Sequence, residues 1–335
     1  MSRLAIIIPH FGDVPALENT VASVLANRPR DCEVLVVLLR PYSDPYGVGG
    51  EVRFVSAEGR RGLAGAVNQG VRLSDAPTIH VLLCGAEVRE GWADAPLARL
   101  KDPRIASVAP LVLDMDTPGR IVAAGLAYHV GGAAVPLAAG QEADSVGANA
   151  RRVLAPHPAA AFYRRSCLEA LGGFPSAVGD MLAGVDVGLT LERLGLATVL
   201  EPRSRVAVAR SGVLRTGTFR QAFEAERMFW RWAPILGLAR SVASHGMVVL
   251  GEGVRGVPNL SIVPRWLGRL AGAGLARGAC GHQRTLQALR ERFRAAESEP
   301  ALPAPHFRMS RPNPPRAETR RLRTSESAGR GDSPP

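Results

Sequence analysis

Lysine is all but missing from this chain: Lys101 is the only one, so the net charge of +11 over 335 residues is carried by arginine. Cysteine is scarce too. Cys32, Cys84, Cys167 and Cys280 lie far apart and form no C-x-x-C pair, so neither a zinc site nor a disulfide framework is signalled and reduced thiols are expected. The histidines show no metal-ligand spacing; structural or solvated roles are expected for all of them, with His10, in the first turn, also a candidate for touching a ligand. Aromatic residues make up 5% of the chain, with no aromatic and basic platform for reading a specific nucleic acid. Long apolar runs are absent as well. The opening MSRLAIIIPHFG has one arginine, an apolar stretch ending at Pro9 and no small-residue cleavage pattern, and is read as a strand, not a signal peptide. Pro234 to Leu250 is broken by Arg240 and His245 and does not qualify as a spanning helix. A cytoplasmic protein is expected.

What the chain does have is length and apolar residues, 46% of the total, enough for one large domain with an appendage. Leu4 to Pro9 and Glu33 to Leu39 are continuous apolar runs, and between them Val14, Leu17, Val21, Val24 and Leu25 recur at helical spacing. Neither run alternates, as expected of parallel strands covered on both faces. Further strands are predicted at Val52–Val55 and Thr78–Leu83, with a helix over Leu63–Leu73 between them. A short helix follows at Trp92–Leu100, then a strand at Ile105–Leu113, where Pro110 marks an edge or a bulge. Gly131 to Ala150 has no clear period and is read as a loop. Helices are predicted at Arg165–Leu171, closed by Gly172 and Gly173, and at Val187–Leu194, closed by Gly195. Strands at Ala197–Leu200 and Val206–Ala209 finish the domain. The fold class is α/β, a mainly parallel sheet with helices on both faces.

Several segments, in order, resemble the family 2 glycosyltransferases. IIIPHFGDVPALENTVASVL is similar to that family's first strand, turn and helix, EVLVV to its second strand, and EGRRGLAGAVNQGV to its glycine-containing segment with an Asn two residues before a Gly. HVLLCGAEVREGW, DPRIASVAPLVL, RRSCLEALGGFP and GVDVGLTLERLG continue the likeness, which covers residues 3 to 212. It implies the GT-A fold, Rossmann-like and of the nucleotide-diphospho-sugar transferase type, over residues 1–215. Residues 216–298 are set apart as a basic, Trp-containing helical appendage, and 299–335 as a disordered tail.

The resemblance implies inverting transfer of a hexosyl or deoxyhexosyl group from a nucleotide sugar to a glycan or lipid-linked acceptor, in cell-surface polysaccharide synthesis. It implies a catalytic base at Asp186, which would take the acceptor's proton; a helix cap is the alternative role for that residue. Nucleotide-sugar contacts are implied at His10, Phe11, Gly62, Asn68, Gly85 and Glu87, and acceptor-side positions at Trp92, Gly172 and Gly173. The family's divalent cation, Mn or Mg, is held by an Asp-x-Asp cluster after the fourth strand. Leu83, Cys84 and Gly85 stand there instead, Leu38, Leu39 and Arg40 replace the acidic residues that hold the nucleoside, and VAVAR over 206–210 lacks the usual His. No metal ligand is therefore assigned. Asp114 and Asp116 are read as a polar turn before Pro118 and Gly119. Arg210 and Arg215 are candidates for meeting the diphosphate in the cation's place. A catalytically inactive relative acting as a binding or scaffolding subunit is the alternative.

From Thr216 to Pro335 there are 19 arginines against nine acidic residues. Ile262, Trp266, Leu267 and Leu270 fall on one helical face flanked by Arg265 and Arg269, a composition suited to an anionic membrane surface. A peripheral protein on the inner face of the membrane is the corresponding expectation, with Trp230, Trp232 and Trp266 along one exposed face. No specific nucleic acid is expected as a partner.

Overall fold

The computed structural model describes residues 2–59, 62–209, 218–256, 262–274 and 279–298. In chain order the elements are β1 (Leu4–His10), α1 (Val14–Asn27), β2 (Cys32–Leu38), β3 (Arg53–Ser56), α2 (Leu63–Leu73), β4 (Thr78–Leu82), β5 (Ala86–Val88), α3 (Asp94–Arg99) and β6 (Ile105–Asp114). There follow β7 (Ile121–Ala123), β8 (Leu126–His129), β9 (Ala133–Pro136), β10 (Arg151–Val153), β11 (Ala160–Arg164), α4 (Arg165–Ala170), α5 (Ala183–Arg193) and β12 (Ala197–Val208). Four helices come last: α6 (Thr218–Leu236), α7 (Leu238–Gly256), α8 (Ile262–Gly274) and α9 (Ala279–Ser298).

The central sheet has the order β10-β12-β6-β11-β4-β1-β2-β3. β1, β2, β3 and β4 are parallel; β6 and β12 run the same way beyond the antiparallel β11. The absence of alternation in LAIIIPH has a direct cause: all seven residues are buried. Ala5 and Ile7 enter the core beneath α2 and α5, whereas Leu4, Ile6 and Ile8 enter the one beneath α1 and α3. Gly70 lets α2 approach β1, because a Cβ there would lie 2.7 Å from the Ile7 side chain.

Pro110 produces a bulge, not an edge. Both sides of β6 are paired, and the register with β12 jumps from Glu201↔Pro110 to Arg205↔Leu111. Buried Glu201 then takes ion pairs from Arg99 and Arg203. The two closing strands are thus one bulged strand. The stretch read as a loop, Gly131 to Ala150, instead contains β9, paired with β8, and a 3-10 turn at Ala143–Val146; its small residues pack under α6 and α7, where a Cβ at Gly131 would meet Ser244 O at 2.8 Å.

The helices after residue 217 are not a separate face of tryptophans. Trp232 and Met228 of α6 are wholly buried in the core shared with α2 and α5, Trp230 is half-buried, and Trp266 alone of the three is exposed, at 51%. The expected exposed row fails because α6 spends its apolar stripe on the domain. α8 crosses α6 closely through two glycines: a Cβ at Gly268 or Gly272 would lie 2.2 Å from Phe219 O or 2.7 Å from Glu226 Cβ. Among the described residues no helix is long and apolar enough to cross a membrane.

Candidate functional site

Loops at the carboxyl ends of parallel strands are where an open α/β sheet leaves a crevice. Two cavities occupy that edge here. One, of about 360 Å³, lies between the β8–β9 hairpin, His157 and Pro158 just ahead of β11, Leu182 at the start of α5, and helices α6 and α8. The other, of about 580 Å³, lies between the first turn of α2, residues 176–180 and α6, with Gly62, Asn68, Asp180, Arg220 and Arg227 in its wall. Glu224 of α6 lines both.

Of the expected nucleotide-sugar residues, Gly62 and Asn68 line the second cavity. A Cβ on Gly62 would lie 2.8 Å from Asp180 Oδ1, so that carboxylate sits against the helix start. Asn68 is engaged: its Nδ2 donates to Phe174 O at 2.9 Å and its Oδ1 accepts from Phe174 N at 2.7 Å. Gly173, with φ +85°, makes room, since a Cβ there would lie 2.3 Å from Asn68 Oδ1. Gly172 and Gly173 close α4 by donating to Glu169 O and Leu168 O. Residues expected on the donor side and the acceptor side therefore meet in one clamp, which holds the segment leading to Asp180.

A second group gathers near α1. His10, at the end of β1, is buried, stands edge-on to Tyr42 and has neither ring nitrogen hydrogen-bonded; burial lowers its pKa against the pull of Asp13. Phe11 is 37% exposed just beyond it. Gly85 N donates to Thr20 Oγ1 at 2.9 Å, and Cys84 Sγ donates to Pro9 O at 3.2 Å. Glu87 lies in β5 opposite Ala207. This turn does not fit a divalent cation: Leu83 is buried, burial pushes the Cys84 thiol up to about 12, and Glu87 joins no group of three metal-ligating side chains. Such a metal wants several oxygen ligands. Among the described residues no group of three metal-ligating side chains comes together anywhere. Asp114 and Asp116 form the polar turn, with Asp116 N donating to Asp114 Oδ1 at 2.9 Å. Arg210 and Arg215 lie outside the described residues.

Two expectations need correction. Trp92 is not on an acceptor-facing surface: it is 2% exposed, and its Nε1 donates at 3.3 Å to His80 Nε2. His80 in turn stacks on Phe162 at 3.8 Å and donates from Nδ1 to Ala161 O, and burial holds its pKa down at about 3. Asp186 is not a helix cap; Leu182 occupies that position, and Asp186 lies in the first turn of α5. Its carboxylate, on a residue 3% exposed, is occupied. Oδ1 accepts from Arg231 Nε and Trp232 Nε1, both at 2.7 Å, and Oδ2 from Arg231 Nη2 at 3.3 Å. It lines neither cavity.

Sequence reading missed Asp180, Arg220, Glu224 and Arg227. One signal was there to be found: Glu224, Met228 and Trp232 are spaced by four, so an acidic residue shares the stripe of two wholly buried side chains.

No protein-family model matches the sequence, and no curated protein matches it. Among solved structures, the chain is similar to GalNAc-T7 with UDP, GalNAc and Mn2+, at a TM-score of 0.54 and 17% identity over 70% of this chain and 48% of that one. It therefore spans about half the length of that protein. It is also similar to S. aureus TarS 1-349, at a TM-score of 0.53 and 11% identity over 88% of this chain and 92% of that one. These are GT-A glycosyltransferases, and the described sheet and helices have the GT-A fold.

Proposed function

We propose that this GT-A chain is an inverting glycosyltransferase that moves a sugar from a nucleoside diphosphate sugar to a hydroxyl of a glycan or lipid-linked acceptor, in cell-surface polysaccharide synthesis. The observation that carries the reading is the pair of cavities at the carboxyl edge of the sheet, separated by one buried carboxylate. Two substrates and a proton acceptor between them are what a single displacement requires.

The second cavity is assigned to the donor. The first turn of α2 has no side-chain cap and no acidic residue of its own, and a phosphate bound to its amides would displace the Asp180 carboxylate that stands against the helix start. Arg227 and Arg220 bring guanidinium groups from α6, Arg220 being paired with Asp180 at 3.1 Å and with Glu224 at 2.7 Å. Guanidinium groups and oriented amides can offset the charge that develops on a diphosphate leaving group. The first cavity, walled by Leu126, Ala134, Pro136 and Ala225, is assigned to the acceptor.

Calorimetry with a panel of nucleotide sugars tests the reading. Binding is expected at the same affinity with manganese and with EDTA. The absence of binding to every nucleotide sugar would refute it, and binding abolished by EDTA would refute the role given to the arginines. Leu83–Cys84–Gly85 supports a second reading, a non-catalytic binding or scaffolding subunit. That reading expects donor binding without turnover.

We also propose that the helical segment rests on an anionic membrane surface at the cytoplasmic face. Val263, Trp266, Leu267 and Leu270 follow one another at helical spacing on α8 and are exposed, as are Met247, Leu250 and Val254 on α7. This is a narrower surface than the row of three tryptophans, and it omits α6.

A further inference from the structure

We infer that Glu224 of α6, and not Asp186, is the carboxylate that receives the acceptor's proton. The inference rests on the glycosyltransferase reading above and names the base within that site. Both candidates are buried acids. They differ in what their oxygens already do.

Asp186 has no vacant position facing a substrate. Three N–H donors of α6 converge on it, and one of them belongs to the wholly buried Trp232. To meet a substrate it would have to shed the helix that covers it. Its chemistry is that of a tether between α5 and α6, which makes it a positioning residue.

Glu224 is the opposite case. The residue is 5% exposed; Oε1 accepts from Arg220 Nε at 2.7 Å, while Oε2 is buried and has no hydrogen-bond partner. A buried carboxylate oxygen without a donor is costly and calls for an explanation. Glu224 lines the cavities assigned to both substrates; Oε2 itself is closed in beneath Gly179, so a small shift of the side chain or of the 176–180 segment must bring it to an acceptor hydroxyl, the donor that Oε2 lacks. The chain also makes space for this side chain: Gly179 has φ +85°, and a Cβ there would lie 2.0 Å from Glu224 Cδ. Burial, helped by nearby Asp180, raises the carboxyl's pKa against the pull of Arg220 and Arg227, toward the range useful to a base near neutral pH. Arg220 fixes the carboxylate through one oxygen and leaves the other to react.

The step balances without a further reactant. The acceptor O–H gives its proton to Glu224 Oε2 while the acceptor oxygen bonds to the anomeric carbon. The bond from that carbon to the diphosphate oxygen breaks, and its electron pair leaves with the nucleoside diphosphate.

The test uses the full chain, with release of nucleoside diphosphate from UDP-, GDP- and dTDP-sugars as the readout and water and free monosaccharides as acceptors. Glu224→Gln keeps the contact with Arg220 and removes the base. It is expected to lower kcat by about 100-fold or more, with donor Kd within threefold of wild type by calorimetry and the melting temperature unchanged. The wild-type pH profile should show an acid limb that Glu224→Gln lacks, and Glu224→Asp should restore part of the rate. Wild-type rate in Glu224→Gln, with donor bound, overturns this inference alone. Donor binding with no release by wild type supports the non-catalytic reading and also overturns it. No donor binding at all overturns the glycosyltransferase reading, and this inference falls with it.

Discussion

If Asp186 is a tether, Asp186→Asn is a stability mutation before it is anything else. The amide keeps the shape but removes the charge, and it presents a donor at one of two positions where oxygens now accept from Arg231 Nε, Arg231 Nη2 and Trp232 Nε1. All three N–H groups lose an ionic acceptor, and whichever way the amide turns at least one of them faces an NH2 group instead of an oxygen. A hydrogen bond to a charged group contributes about 1.5–3 kcal/mol, and the Arg231 side chain, 26% exposed, is left partly buried beside a neutral neighbour. Because Arg231 keeps some contact with water, the larger penalty of a fully buried lone charge does not apply. The sum is ~2–4 kcal/mol. At ~2 °C per kcal/mol for a body of this size, the melting temperature should fall by about 4–8 °C. Both partners lie on α6, so the loss is one of docking that helix onto α5. Urea and thermal melts followed by tryptophan fluorescence would read it, since Trp232 is at the contact. Turnover per folded molecule should drop less than tenfold, against about 100-fold for Glu224→Gln. A variant that melts like wild type and has lost all turnover would show that Asp186 acts on substrate, and the reasoning would fail.

The remaining predictions concern acid and membranes. Burial holds His80 at about 3 and His157 at about 4, whereas an unfolded histidine titrates near 6.5. Below that pH the unfolded chain binds protons that the folded chain refuses, so stability is fully present above pH ~6.5 and is lost as pH falls toward the folded values, by about 1.4 kcal/mol per unit and per histidine. Urea melts from pH 7.5 to 4.5 should show this slope, and His80→Gln should flatten it; an unchanged slope in the variant would remove His80 from the account. For the membrane surface, Leu267→Glu with Leu270→Glu should reduce co-flotation with anionic vesicles at least severalfold, because both side chains are exposed on α8. Equal flotation would dismiss that face.

Much of the fold was legible because burial direction is written into local spacing. The unbroken run of β1 announced a strand covered on both sides, the 3.6-residue spacing announced α1, and Gly172 and Gly173 announced the end of α4. Pro110 announced an edge or a bulge, and which of the two depended on β11 and β12, which come from 50 or more residues away. The site was legible in its parts and not in its assignments. Gly62 and Asn68 could be picked out from GLAGAVNQG, yet that Asn68 would bind Phe174, 106 residues on, is a matter of how α2 and the segment after α4 pack. Sequence by itself singled out Asp186, passed over Glu224 and set Trp232 on an exposed face. Only the tertiary structure decided that the indole and Arg231 would engage both oxygens of Asp186 while Glu224 kept one oxygen without a partner. The physical reason is that a buried polar group's partner is chosen by packing across the chain: a residue's spacing says which way it faces, and the neighbour it finds there is supplied by another element.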